Sequence, residues 1–145
     1  MRELLIGCGS RREKMLFVQG KTLWENLTTL DINKPHKPDV VWDLNERPLP
    51  FDADTFDEIH AYEVLEHLGK GVGDYRSWFK EWSEWWRLLK PGGTICGSSP
   101  SLTSPWLFGD PSHCRVVSRQ AMWFLHQPAY AEIGKSPMSD FRYLY

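Results

Sequence analysis

The chain is poor in cysteine: Cys8, Cys96 and Cys114 are odd in number and widely spaced, which leaves neither a disulfide framework nor a CxxC zinc knuckle. Long apolar runs are missing too. Nothing approaches the roughly 20 residues of a membrane-crossing helix, and no early stretch has the shape of a signal peptide, so a reduced, cytoplasmic setting without membrane contact is expected. Charge of one sign is equally scarce, because 17 basic against 19 acidic residues leave a net −2, no basis for holding a nucleic acid backbone. Internal repeats, low-complexity tracts and composition breaks are absent, which predicts one domain over residues 1–145. What the chain has in quantity is aromatic bulk, with 8 Trp, 5 Tyr and 7 Phe available for a core.

Short apolar runs alternate with segments of helical period, the pattern of a parallel sheet covered by helices. Strands are predicted at Glu3–Ile6, Leu27–Ile32, Asp39–Trp42, Phe56–Ala61 and Thr94–Ser98. The strongest helix signal places Tyr75, Trp78, Phe79, Trp82, Trp85, Trp86 and Leu89 at three- and four-residue intervals, with Lys80, Glu81, Glu84 and Arg87 between them. It ends at Lys90-Pro91-Gly92-Gly93, where proline removes a donor and glycine permits reversal. Helical spacing makes the aromatic stripe sheet-packing core rather than a stacking surface. A further helix is expected over Val117–His126, capped by Ser118, and a sixth strand over Phe141–Tyr145.

Ligands of an open parallel sheet bind beyond the carboxyl ends of its strands. Gly7-Cys8-Gly9 follows the first strand, where missing side chains let a ligand approach peptide N–H groups. Asp31 ends the second, where an acid can hold ribose hydroxyls, and Asp43 ends the third, within reach of an adenine amino group. The three together describe an adenosine pocket. A dinucleotide site would want a third glycine where Arg12 stands, which weakens a nicotinamide-dependent oxidoreductase without removing it.

The glycine turn, Leu30-Asp31-Ile32, Val41-Trp42-Asp43-Leu44-Asn45, Pro48-Leu49-Pro50-Phe51, Phe56-Asp57-Glu58-Ile59, Val64-Leu65-Glu66-His67-Leu68, Leu89-Lys90-Pro91-Gly92-Gly93 and Asp110-Pro111-Ser112-His113-Cys114-Arg115 occur in that order. From Leu4 to about Arg119 the chain resembles the S-adenosylmethionine-dependent methyltransferases of Rossmann-like fold. The resemblance implies an α/β three-layer sandwich with a mostly parallel central sheet. It also implies S-adenosylmethionine as cofactor, held by Gly7, Cys8 and Gly9 at its methionine part, by Asp31 at the ribose, by Asp43 and Leu44 at the adenine, facing Ala61, Tyr62 and Glu63 at the sulfonium, with Ile32 a further cofactor contact. The closing antiparallel hairpin of that fold is not found, so the C-terminal strands read as truncated, or a second subunit covers the open sheet edge as a homo-oligomer.

The reaction implied is methyl transfer to a small-molecule acceptor, with a non-catalytic cofactor-binding or regulatory subunit as the alternative. His113 is the first candidate general base, since imidazole titrates near neutrality; Glu66 and His67 come second. Trp106, Phe108, His113 and His67 are the expected acceptor contacts. Glu63, Glu66, His67 and His113 carry neither a CxxC nor an i, i+4 histidine pair, so no metal is expected. Cys8 reads as a small apolar residue between glycines, and Arg11, Arg12 and Lys14 as a solvated basic run.

Overall fold

The uniformly apolar run Leu4-Leu5-Ile6 has to be covered on both sides, and in the computed structural model, which describes residues 1–145, it lies at the centre of the sheet. The strands are β1 (Glu3–Ile6), β2 (Leu27–Asp31), β3 (Val40–Val41), β4 (Phe56–Tyr62) and β5 (Leu89–Ser98), in the order β3-β2-β1-β4-β5 and all parallel. This is the α/β Rossmann-like arrangement, with the chain reversing its direction of travel across the sheet between β1 and β4.

The third strand is shorter than predicted because Asp39 is drawn sideways: its carboxylate accepts from the N–H and hydroxyl of Thr29 at 2.8 and 2.7 Å. β5 is longer, beginning at Leu89 and carrying Lys90-Pro91-Gly92-Gly93 as an irregular opening stretch, with a register shift opposite Phe56 and Glu58.

Between β4 and β5 runs α1 (Tyr75–Leu88), whose N-cap Asp74 accepts from the Ser77 N–H. Trp78, Phe79 and Trp85 are buried as the periodicity predicts, while the stripe's last buried residue is Leu88, the predicted Leu89 having passed into β5. The polar face is not where the pattern put it. Glu81 and Glu84 are buried while Trp86 is 81 % exposed, because Glu81 receives Arg115 at 2.8 Å and Glu84 receives the Leu49 N–H at 2.7 Å. Beyond β5 come the short helices α2 (Trp106–Gly109) and α3 (Arg119–Trp123); Ser118 caps α3 as predicted, accepting from the Ala121 N–H.

The sixth strand is not formed. Phe141 and Tyr145 flank a 3-10 turn at Arg142–Leu144 and stack their rings on Phe79 of α1 at 4.9 and 5.0 Å between centroids. Aromatic burial against the helix takes the place of backbone pairing at the sheet edge.

Side chains alternate across the strands. One face sends Leu4, Ile6, Leu30, Phe56, Ile59 and Ala61 into a core shared with Leu65, Trp85 and Leu88. The other presents Glu3, Leu5, Thr29, Glu58 and His60, all buried. It is covered by residues 10–26, which form neither helix nor strand. Lys14 corrects the expectation of a solvated basic run: its ammonium is buried, 2.6 Å from Glu3 and 2.8 Å from Glu58. Arg11 alone of the three basic residues is exposed.

Candidate cofactor cleft and acceptor side

β1 ends in a turn that only glycine can make. Gly7 has φ +56°, and a Cβ there would stand 2.4 Å from Cγ2 of Val64, which follows β4. Gly9, with φ +53°, has open space where its Cβ would be, so its backbone faces a gap. Cys8 between them is buried, its thiol pushed up by that burial, which suits packing and not nucleophilic attack.

Asp31 closes the turn from the end of β2. Its carboxylate accepts from the Gly9 N–H at 2.8 Å and from the Asn33 N–H at 2.7 Å, with His36 Nδ1 at 3.6 Å. Two backbone donors leave further lone pairs on a group with about four acceptor sites. Arg12 folds over the same turn, donating to the carbonyls of Gly9 at 2.6 Å and His36 at 2.8 Å. The sequence offered no signal for this clamp, because its partner carbonyls lie on two separate turns.

Next to Asp31, a cavity of about 350 Å³ is lined by Ile32, Val41, Trp42, Asp43 and Glu46. Ile32 and Asp43, both expected cofactor contacts, therefore border one cavity. Leu44 does not: it is buried in the core under the sheet and presents no side chain to a ligand.

At the end of β4 the predicted trio separates. Ala61 is fully buried, and Glu63 is exposed with φ +52°, a left-handed conformation uncommon for a non-glycine residue. Tyr62 turns to the polar face, where its hydroxyl accepts from the N–H groups of Met15 and Leu16 at 3.2 Å each and meets His60 Nδ1 at 2.7 Å.

On the acceptor side the structure brings His67 and His113 together, ring centroids 4.7 Å apart. The Glu66 backbone carbonyl receives the N–H groups of Cys114 and Arg115, pinning that loop to the turn at Leu65–His67. The Glu66 carboxyl is buried, its ordinary value raised by burial. Trp106 and Phe108 stand 68 and 81 % exposed on α2, whose Leu107 carbonyl receives His113 Nδ1 at 3.1 Å. A concavity of about 930 Å³ lies between α1 and the C-terminal segment, against Trp78, Phe79, Trp123, Phe124 and Phe141. Its walls come from segments far apart in the chain.

A parallel sheet whose glycine turn, Asp31 and Asp43 gather at the carboxyl ends defines a Rossmann-like nucleotide-binding domain. The family model described as "Methyltransferase domain" matches residues 4–97. Among solved structures, a SAM-dependent methyltransferase from Archaeoglobus fulgidus is similar with a TM-score of 0.62 and 21 % identity, over 88 % of this chain and 59 % of that one. An S-adenosylmethionine-dependent methyltransferase from Mesorhizobium loti is similar at a TM-score of 0.42 and 19 % identity, over 68 % of this chain and 46 % of that one. No curated protein matches the chain in sequence. The chain belongs to the methyltransferase domain family, whose cofactor is S-adenosylmethionine. It spans 59 % of the length of the Archaeoglobus protein.

The residues fit that cofactor. Gly9 leaves its backbone uncovered, Asp31 keeps acceptor sites free beside it, and a cavity lined by Ile32, the residue after Asp31, opens at Asp43. No helix of the chain is long and apolar enough to cross a membrane.

Proposed function

We propose that the chain transfers a methyl group from S-adenosylmethionine to a small-molecule acceptor and releases S-adenosylhomocysteine. The observation that carries the reading is the Gly7–Gly9 turn tied to Asp31 beside the cavity at Asp43. When bound, the cofactor supplies an electrophilic methyl whose transfer needs alignment more than proton bookkeeping.

The chain's own contribution is positioning. Gly7 and Gly9 admit the methionine part to the backbone, Asp31 accepts from the ribose hydroxyls, and Asp43 and Ile32 border the adenine. Asp31 is itself held by two peptide N–H groups, so it meets the ribose preorganised. Glu63, exposed just after β4, is left to face the sulfonium, and the imidazole of His113 is the candidate acceptor for a proton leaving the substrate. A dinucleotide is disfavoured because Arg12, folded across the glycine turn, stands where the third glycine of a pyrophosphate site belongs. A net charge of −2 and the aromatic-lined concavity favour a small acceptor over a nucleic acid.

The test is transfer of label from methyl-labelled S-adenosylmethionine into separated small-molecule, protein and nucleic acid fractions. Label in the small-molecule fraction, lost with Gly9→Val, supports the reading. Label in a macromolecular fraction would overturn the acceptor class, and no transfer to any fraction would overturn the activity.

A further inference from the structure

Glu66 has a carboxylate that nothing in the chain accounts for. The residue is 1 % exposed, and both side-chain oxygens are buried without any hydrogen-bond partner. A buried carboxylate in that condition is costly unless a cation or a donor reaches it. The groups that face it are the imidazoles of His67 and His113; one ligand atom from each of the three lies within 4.8 Å of the others.

We propose that Glu66, His67 and His113 bind a single divalent first-row cation of the Zn²⁺, Co²⁺ or Mn²⁺ kind. One carboxylate with two imidazoles is a donor set suited to such ions. The surroundings of both rings leave the lone pair on Nε2. Ser112 donates to Asp110 at 2.5 Å, so its oxygen accepts from His67 Nδ1 at 3.0 Å, and the lone pair of His67 falls on Nε2. His113 Nδ1 donates to the Leu107 carbonyl at 3.1 Å, which places its lone pair on Nε2 as well. Histidine ligands are held in this way, with the second ring nitrogen donating to a carbonyl or an acid-linked hydroxyl. The three residues are also fixed relative to one another, since the Glu66 carbonyl receives the N–H of Cys114 at 2.7 Å and so ties the His113 loop to the Glu66 turn.

His67 is only partly buried, so one side of the site is open to an incoming ligand, as in catalytic metal centres and unlike closed structural ones. Cation binding does not rest on methyl transfer and is read on the chain alone.

The measurement is calorimetric titration of the metal-stripped full chain with ZnCl₂ and with MnCl₂, together with the visible spectrum after Co²⁺ addition. One equivalent binds the parent chain, and the cobalt bands report nitrogen ligation without any substitution. Glu66→Gln, which keeps the shape, and His113→Ala each weaken binding by more than about 100-fold, while Asp110→Asn, which alters both the Ser112 link and the carboxylate 3.8 Å from His113 Nε2, weakens it by about 10-fold. Absence of one-equivalent binding, cobalt bands without nitrogen character, or unchanged affinity in Glu66→Gln would overturn the proposal.

Discussion

The two faces of the sheet bury similar numbers of side chains by opposite means. Beneath α1 the contacts are Leu4, Ile6, Ile59, Ala61, Trp85 and Leu88, an apolar layer whose stability scales with area removed from water. Across the sheet the same strands bring Glu3 opposite Glu58 and Leu5 opposite His60. Two buried carboxylates in register would repel; Lys14 lies between them and donates to both. Burial alone would raise the Glu3 carboxyl and lower the Lys14 ammonium. The hydrogen bonds between them, with those from the Glu25 and Asn26 N–H groups to Glu3, reverse both shifts. His60 is pushed down by burial, against the pull of Glu58, which keeps its ring neutral against Trp24. The apolar face tolerates any substitution that preserves volume; the polar face works only as a complete set.

That difference can be broken first at Lys14. Lys14→Met leaves Glu3 and Glu58 buried without their cation and lowers unfolding stability by about 3–5 kcal/mol in denaturant titration, and Glu3→Leu with Glu58→Leu in the same chain restores most of it. On the opposite face Trp85→Ala costs a comparable ~3–5 kcal/mol, and Leu4→Ala about 2–5 kcal/mol, with no rescue by partner substitutions because the loss is cavity and area.

The face under α1 also buries Glu81 and Glu84, and pH sharpens the contrast at Glu81. Burial pushes the Glu81 carboxyl up to about 7, against the pull of Arg115 and Arg47. A carboxyl raised in the folded state stabilises it below the unfolded value of 4.5 and loses that contribution as pH climbs through about 7. The melting temperature of Glu81→Gln therefore gains on the parent between about pH 5 and about pH 8, and a constant difference would contradict the assignment. The smallest effects lie outside both faces: Ser118→Ala removes the α3 cap for about 1 kcal/mol, and Trp86→Ala on the exposed side of α1 stays within about 0.5 kcal/mol.

Legibility followed sequence distance. The strands, the glycine turn, Asp31 and Asp43 could be read because each is a local pattern placed at a strand end by the α/β topology. Lys14 could not, since its burial depends on the register that sets Glu3 beside Glu58. Leu44 was misread because a side chain adjacent to Asp43 turns under the sheet. Phe141–Tyr145 has strand composition, yet aromatic residues fill a helix face equally well. The grouping of Glu66 with His113 joins a 3-10 turn to a distant loop, a contact without local periodicity. Tyr62, predicted to follow the fourth strand, is instead the last residue of β4 and spends its hydroxyl on the loop at Met15 and Leu16.

The central claim is that the turn at Gly7–Gly9, held by Asp31, receives an adenosyl ligand and not a dinucleotide. Calorimetric titration of the chain with S-adenosylmethionine, S-adenosylhomocysteine and NADH, repeated with Asp31→Ala, addresses it directly. Both adenosyl ligands should bind, weakening by roughly 10- to 100-fold in the variant through loss of a charge-assisted contact, and NADH should not bind. Binding of NADH alone, or adenosyl binding indifferent to Asp31, would contradict the account.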